Sequence, residues 1–363
     1  MNLFASKTFS VGLAALACLL TAPIRAAPIT YQEVTVGNAG NANDTGGGGI
    51  GAVGYDYQIG KYDVTIGQYT AFLNAVAATD TYLLYSSSMG TDLNVAGISQ
   101  TGSSGNFTYS VIGSADRPIT YVNWFDSARF ANWMANGQPT GDQTSTTTEN
   151  GAYNVNGATS GDAVAKNATN PNTSAAPTFF IPTQNEWYKA AYYSQALNSN
   201  TGGYYAYATQ SDSDPGNVVG ILANQANYNN GVYSVTQDGT YSSSQNYLTD
   251  VGAFSGSGSF YGTFDQSGNV FQWNDLDGAP DSTRGLRGGD WGYLAFDVSS
   301  SRSYLTVTWL ENIRIGFRLA SPVSASAVPE IDPATGSSAI SLVAGVLAMI
   351  EQRRRRTALS ASA

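Results

Sequence analysis

One cysteine and no histidine in 363 residues set the first limit on the fold. The lone thiol, Cys18, lies in a leader expected to be removed, so the mature chain closes without a disulfide and without a thiolate zinc or iron–sulfur site. No metal is held through imidazole. Ser-His-Asp and Cys-His catalysis are excluded on the same ground. Carboxylates, amides, hydroxyls, aromatics and a few cations remain to carry any function.

Charged residues make up 12% of the chain, about half the usual share, and aromatics another 12%. That aromatic content argues against disorder. Between residues 27 and 328 there are 10 Lys and Arg against 23 Asp and Glu, a net −13. Nucleic-acid binding has no electrostatic support. An acidic, amide-rich surface suits calcium or sugar ligands, and also serves solubility alone.

Both ends read as sorting signals. Lys7, an apolar run over 11–20 and small residues at Ala22, Ala26 and Ala27 make 1–26 a secretory signal peptide. A rival reading takes Cys18 as a lipoprotein cysteine, although Ala15 rather than Leu precedes it by three. At the other end, Val328-Pro329-Glu330, a spacer, an apolar stretch over 339–350 and Arg353 to Arg356 stand in order, leaving 357–363 beyond. This order over 328–356 resembles the PEP-CTERM sorting tail of exported bacterial proteins. The resemblance implies recognition in the membrane, processing, and export linked to the cell surface or to exopolysaccharide. A plain membrane anchor is the alternative. Either way the expected location is secreted or cell-surface, with at least transient anchoring, and the export and sorting machinery is an expected partner.

The body, 27–327, shows no repeat. Helical spacing runs over 66–77, with Tyr69, Phe72, Leu73 and Val76 on one face. A second helix is predicted over 123–134, opened by Asn123, and a third over 183–193, where Thr183 and Glu186 form a capping box. Strands are expected at 30–36, 55–62, 269–273, 286–289 and 315–319. The glycine-rich stretch 38–54 reads as a flexible loop. Residues 137–177 read as an insertion loop, and 210–259 as a third polar stretch. The fold class is α+β with much irregular structure.

Six ordered blocks carry a resemblance. They are Tyr62-Asp63-Val64-Thr65 with Tyr69 and Phe72; Arg117-Pro118-Ile119 through Trp124 to Asp126-Ser127-Ala128; Ile181-Pro182-Thr183-Gln184-Asn185-Glu186-Trp187; Phe264 to Trp273, containing Gly268-Asn269-Val270; Arg287-Gly288-Gly289-Asp290-Trp291; and Ile315-Gly316-Phe317-Arg318. Together, over about 55–321, they resemble the formylglycine-generating enzyme (sulfatase-modifying factor) domain. The resemblance implies that family's C-type-lectin-like α+β fold, loop-rich with little regular structure. The blocks also suit a scaffold. Trp124, Trp133, Trp187, Trp273 and Trp291 are large apolar groups fit for a loop-rich core, and Arg287, Arg302 and Arg318 can hold loop carbonyls or carboxylates.

The family's oxidative chemistry uses two copper-binding cysteines. Counted without gaps from Gly288-Gly289, they fall at Tyr293 and Val298, which cannot replace soft thiolates. A related branch holds iron through histidines, and the chain has none. Copper is therefore not expected, and no catalytic residue is assigned. The family's structural calcium maps onto Asp265, Gly268, Val270 and Gln272, where Gln stands for the usual Glu and lowers the charge. A second calcium set would use Asn227, Tyr228, Asp238 and Thr240. Asp275, Asp277, Asp281, Asp290 and Asp297 cluster after the fourth block. A glycosidase would need two carboxyls at a defined distance, but a solvated loop is the simpler reading.

Three functions stay open. The first is a non-catalytic surface module binding carbohydrate or a surface protein. In C-type-lectin-like relatives, including the variable proteins of diversity-generating retroelements, ligand contacts lie near the C-terminal end. Here that face would hold Trp291, Tyr293, Phe296, Tyr304 and Trp309. The others are an enzyme of the family with an unrecognised site and a structural component of extracellular matrix.

Overall fold

Capping boxes open the three long helices. Thr65, Asn123 and Thr183 each accept the backbone N–H three residues on, and Gln68, Asp126 and Glu186 each return a bond to the cap. Each such cap stabilises its helix by about 1 kcal/mol. The helices are α1 (Ile66–Val76), α3 (Trp124–Ala135) and α4 (Gln184–Tyr192), with a single turn, α2 (Ser88–Thr91), between the first two. The computed structural model describes residues 28–323. The signal peptide, Cys18 and the sorting tail, with its apolar segment, lie outside them. Chain contacts divide the protein into one unit through Pro322 and a second from Val323. Among the described residues no helix is long and apolar enough to cross a membrane.

The described residues also form eleven short strands. β1 (Glu33–Val36) and β11 (Ala320–Pro322) flank β2 (Tyr57–Gly60) antiparallel, joining the two ends of the unit in one sheet. β3 (Ile98–Thr101) and β4 (Thr108–Val111) form a hairpin that the sequence pattern did not reveal. β5 (Tyr193–Ser194) and β6 (Gly203–Tyr204) form another. The second main sheet runs β10 (Ile315–Gly316), β7 (Phe271–Asn274), β8 (Thr283–Arg287), β9 (Tyr304–Val307). β10 is parallel to β7, whereas β8 and β9 add antiparallel.

Several expectations shift. The strand expected at 286–289 ends at Arg287, because Gly288 and Gly289 take φ of 97° and 69° and turn the chain away. At Gly289 a Cβ would also lie 2.5 Å from Val298. Helix α3 is buried on every side rather than amphipathic. The reason is the 137–177 stretch, which packs over it instead of extending as an insertion. From that stretch Glu149 reaches Arg129 through two bonds of 2.8 and 2.9 Å. Tyr153 joins the main core. The 38–54 stretch is a hydrogen-bonded loop, not a slack one: Asp44 and Ile50 bridge, and Asn41 ties Gly51 and Val53.

The main core gathers Phe72, Trp124, Phe130, Trp133, Trp273 and Phe317. Arg318 is wholly enclosed. It donates to the carbonyls of Gly60 and Phe264, to Gln272 Oε1 at 2.6 Å and to Asp63 at 3.1 Å. Burying a charge is tolerated when its donors are all met this way.

Candidate functional site

The chain after β8 builds one face from residues 290–314. Asp290 is fully buried and accepts from Gly292 N–H at 2.7 Å and from Arg314 at 2.6 Å. Burial pushes its carboxyl up to about 7, with Arg314 and the Gly292 N–H opposing. The Arg314 guanidinium lies 4.7 Å from the Trp291 ring and 5.1 Å from the Tyr293 ring, and about a third of its side chain is exposed. Partly exposed cation–aromatic contacts of this kind contribute about 0.5–1 kcal/mol each.

Tyr293 packs edge-on against Phe271, at 5.5 Å and 81°. Phe271 meets Tyr304 in the same way, at 5.2 Å and 85°. These rings, with Leu286, Leu305, Leu310 and Arg314 among others, line a cavity of about 300 Å³. On its flank Tyr304 donates to Asp297 at 2.8 Å, and Arg302 donates to the Tyr304 hydroxyl at 3.0 Å. Arg302 also sits over the Phe296 ring at 5.2 Å. Large apolar side chains stay exposed here: Tyr293 at 38%, Phe296 at 58%, Leu305 at 67% and Trp309 at 44%.

The face predicted from sequence is thus partly assembled. Tyr293 and Tyr304 share the cavity, and Phe296 joins them through Arg302. Trp309 lies on the turn after β9 and does not line the cavity. Trp291 is corrected from ligand contact to buried support: it is 2% exposed, does not line the cavity, and stacks on Tyr247 at 4.8 Å and 11° with the Arg314 guanidinium 4.7 Å from its ring. Sequence reasoning missed Arg314, Phe271 and the anchoring role of Asp290. A signal for Arg314 existed, since it stands one residue before the Ile315-Gly316-Phe317-Arg318 block.

The five-carboxylate cluster is also not one solvated loop. Asp275 is buried on Arg284 at 2.7 Å, with Trp124 and Tyr153 donating to it, and Asp290 is buried as described. Asp277 and Asp281 are exposed and cap their own turns. The two positions counted from the copper cysteines separate as well. Tyr293 faces the cavity, while Val298 is buried with Tyr207, Ala226 and Tyr228.

The calcium candidates meet at one junction, where Asn227 and Gly268 pair as a bridge and the Asn227 carbonyl accepts from Asn269 N–H at 2.8 Å. A Cβ at Gly268 would lie 2.3 Å from that carbonyl, so glycine is required. Their donor set does not fit a divalent cation in this arrangement. Gln272 Oε1 already accepts from Arg318 at 2.6 Å and Trp187 at 2.7 Å, and its Nε2 donates to the Asp265 carbonyl. Asp265 Oδ2 accepts from Gly252 N–H. The Gly268 carbonyl accepts from Val270 N–H. In the second set the Tyr228 carbonyl accepts from Asn217 Nδ2 at 3.3 Å and from the Ser234 hydroxyl at 3.2 Å, whereas Asp238 is exposed and accepts from Thr240 N–H. A guanidinium beside Gln272 repels a cation, and backbone N–H groups face Asp265 Oδ2 and the Gly268 carbonyl. Among the described residues no three His, Cys, Asp or Glu side chains gather as a metal site.

Comparison with known proteins bears on the whole unit. No curated protein matches the chain. Treponema denticola variable protein 1 is similar in structure, with 18% identity over 80% of this chain and 95% of that one and a TM-score of 0.44. CarF shows 19% identity over 81% and 99%, at 0.45. PvdO from Pseudomonas aeruginosa shows 16% over 81% and 92%, at 0.39. Residues 328–358 match the VPEID-CTERM protein sorting domain, a PEP-CTERM-like tail that points to export and surface association. Residues 51–323 match the sulfatase-modifying factor enzyme 1-like domain, and with these loop-rich α+β elements the chain belongs to that family.

Proposed function

We propose that the chain is an exported, non-catalytic module of its family that binds a carbohydrate or protein ligand at the face formed by Tyr293, Phe296, Tyr304, Trp309 and Arg314. The observation that carries this reading is the cavity of about 300 Å³ whose aromatic walls surround a guanidinium anchored from below by a buried carboxylate. One Arg314 nitrogen is committed to Asp290, and the guanidinium has further N–H groups for a ligand oxygen. Half-exposed tyrosine rings supply rigid contact area at low entropy cost. Exposed apolar groups gathered within one short segment are an interaction signature, unlike scattered ones.

The emptied copper positions support the non-catalytic side of the reading, because neither Tyr293 nor Val298 offers a soft ligand. Binding of the purified protein to a glycan array, and to the producer's own polysaccharide, tests it. Tyr293→Ala and Trp309→Ala should each weaken binding while the protein stays folded. Unchanged affinity in both would reject the face. Turnover of a thiol peptide with added copper would reject the non-catalytic reading.

A further inference from the structure

A second groove, of about 770 Å³, opens between the 38–45 loop and the β5–β6 hairpin. Asp44 is the one charged residue in its lining. Asn38, Asn43, Gln195, Asn198 and Tyr204 supply carboxamides and a tyrosine ring, with alanine and glycine between them; Gln195 is held at both ends by Tyr193 and Asn200, whereas Asn38 and Asn43 use only Oδ1 internally and Asn198 only Nδ2. This is the composition of a paratope, where tyrosine gives rigid contact and small polar residues give adaptable hydrogen bonds. The open ends are therefore donors at Asn38 and Asn43 and an acceptor at Asn198, and a sugar hydroxyl, which both donates and accepts, can meet either kind. With a carboxylate and no cation in the lining, phosphates and acidic glycans are disfavoured. The polar lining likewise lacks the apolar floor that a lipid chain would need.

The walls are set before any ligand arrives. Asn41 Nδ2 donates to the Gly51 carbonyl at 2.8 Å and to the Tyr204 hydroxyl at 2.6 Å, and Tyr204 donates to the Ala42 carbonyl at 2.8 Å. Tyr188 donates to Asp44 at 2.7 Å, and Lys189 donates to the Asn38 carbonyl at 3.0 Å. Tyr193 and Tyr204 pack edge-on at 5.2 Å. A loop fixed in this way loses little entropy on binding.

One rim carries strain. Asn198, Ser199 and Asn200 hold left-handed φ values of 51°, 59° and 67° in succession. Left-handed backbone is costly for an ordinary residue, less so for Asn, and rarely runs beyond single residues. Such strain persists where the surroundings hold it, and it clusters at ligand clamps.

We infer that this groove is a second binding site, separate from the aromatic face, and that it takes a neutral oligosaccharide through its carboxamides and the Tyr204 ring. The test is calorimetric titration of the purified full-length protein with tetramers of glucose, galactose and N-acetylglucosamine, with tetragalacturonate for comparison. At least one neutral tetramer should bind saturably and more tightly than tetragalacturonate. Ala42→Trp fills the groove and removes no side-chain hydrogen bond; it should weaken that binding at least about tenfold at an unchanged melting temperature. Asn198→Gly keeps the left-handed turn and deletes the carboxamide; it should weaken binding about threefold or more. Trp309→Ala should leave this binding intact, which separates it from the aromatic face. Absence of saturable binding by any neutral tetramer would overturn the inference. So would preference for tetragalacturonate, full binding by both groove variants, or loss of neutral binding in Trp309→Ala.

Discussion

Arg314 and Arg318 stand four residues apart, and each pairs with a fully buried aspartate, yet they serve different ends. Arg318 is wholly enclosed, and carbonyls, Gln272 and Asp63 meet its nitrogens on every side. It joins the end of β2, the turn before β7 and the link between β10 and β11 into one node. Arg314 is held on one side by Asp290, flanked by Trp291 and Tyr293, and left about a third exposed. The same ion pair is a structural node when enclosed and a presented donor when one side is open. What differs is the number of neighbouring groups that close over the guanidinium, not the residue types.

Breaking the enclosed node should have the largest effect. Arg318→Ala leaves Asp63 buried without its partner, a change that costs about 3–5 kcal/mol. Chemical denaturation should show that loss, or failure to fold; a loss below about 1 kcal/mol would remove the distinction between the nodes. The tryptophans sharpen the same contrast. Trp291→Ala empties a buried, stacked site and should cost about 3–5 kcal/mol. Trp309→Ala, on the exposed turn, should change stability by less than about 0.5 kcal/mol while weakening ligand binding. Equal destabilisation by the two would break the division into buried support and contact.

Arg314→Lys keeps the charge and loses the flat, stacked fork. It should lower ligand affinity about tenfold and stability by no more than about 1 kcal/mol, measured by titration and melting.

A pH profile tests the Asp290 anchor. Burial raises its folded value from 3.8 to about 7, so the folded state holds the proton where the unfolded state has released it. The stability contributed by Asp290 is therefore complete below about pH 4 and is lost as pH rises through about 7. Asp290→Asn cannot titrate and should flatten that descent. An unchanged slope would show that Asp290 is not the titrating group. The smallest effect concerns calcium. With Gln272 Oε1 turned to Arg318 and Trp187, millimolar calcium should shift the melting temperature by less than about 1 °C. A rise of several degrees that disappears in Asp265→Ala would show that Gln272 can release Arg318 to hold the ion.

Much of the scaffold was legible because its signals are local. Thr183 and Glu186 announce their helix within four residues, whereas the strand expected through Gly289 stops at Arg287, where two left-handed glycines turn the chain. The ordered blocks identify the family for the same reason. The aromatic face was half legible: Tyr293 and Tyr304 are near in sequence, but nothing local distinguishes the buried Trp291 from the exposed Trp309.

The sequence alone therefore determined the helix starts, the family and the absence of imidazole ligands. Tertiary structure decided what faces solvent. Asn41 and Tyr204 are 163 residues apart, yet their hydrogen bond fixes one wall of the polar groove. Asp290 and Arg314 meet across 24 residues, and Glu149 reaches back to Arg129 over the helix it covers. Burial and pairing depend on which distant segments close over a side chain, and that closure is a property of the whole packed unit rather than of any window along the chain.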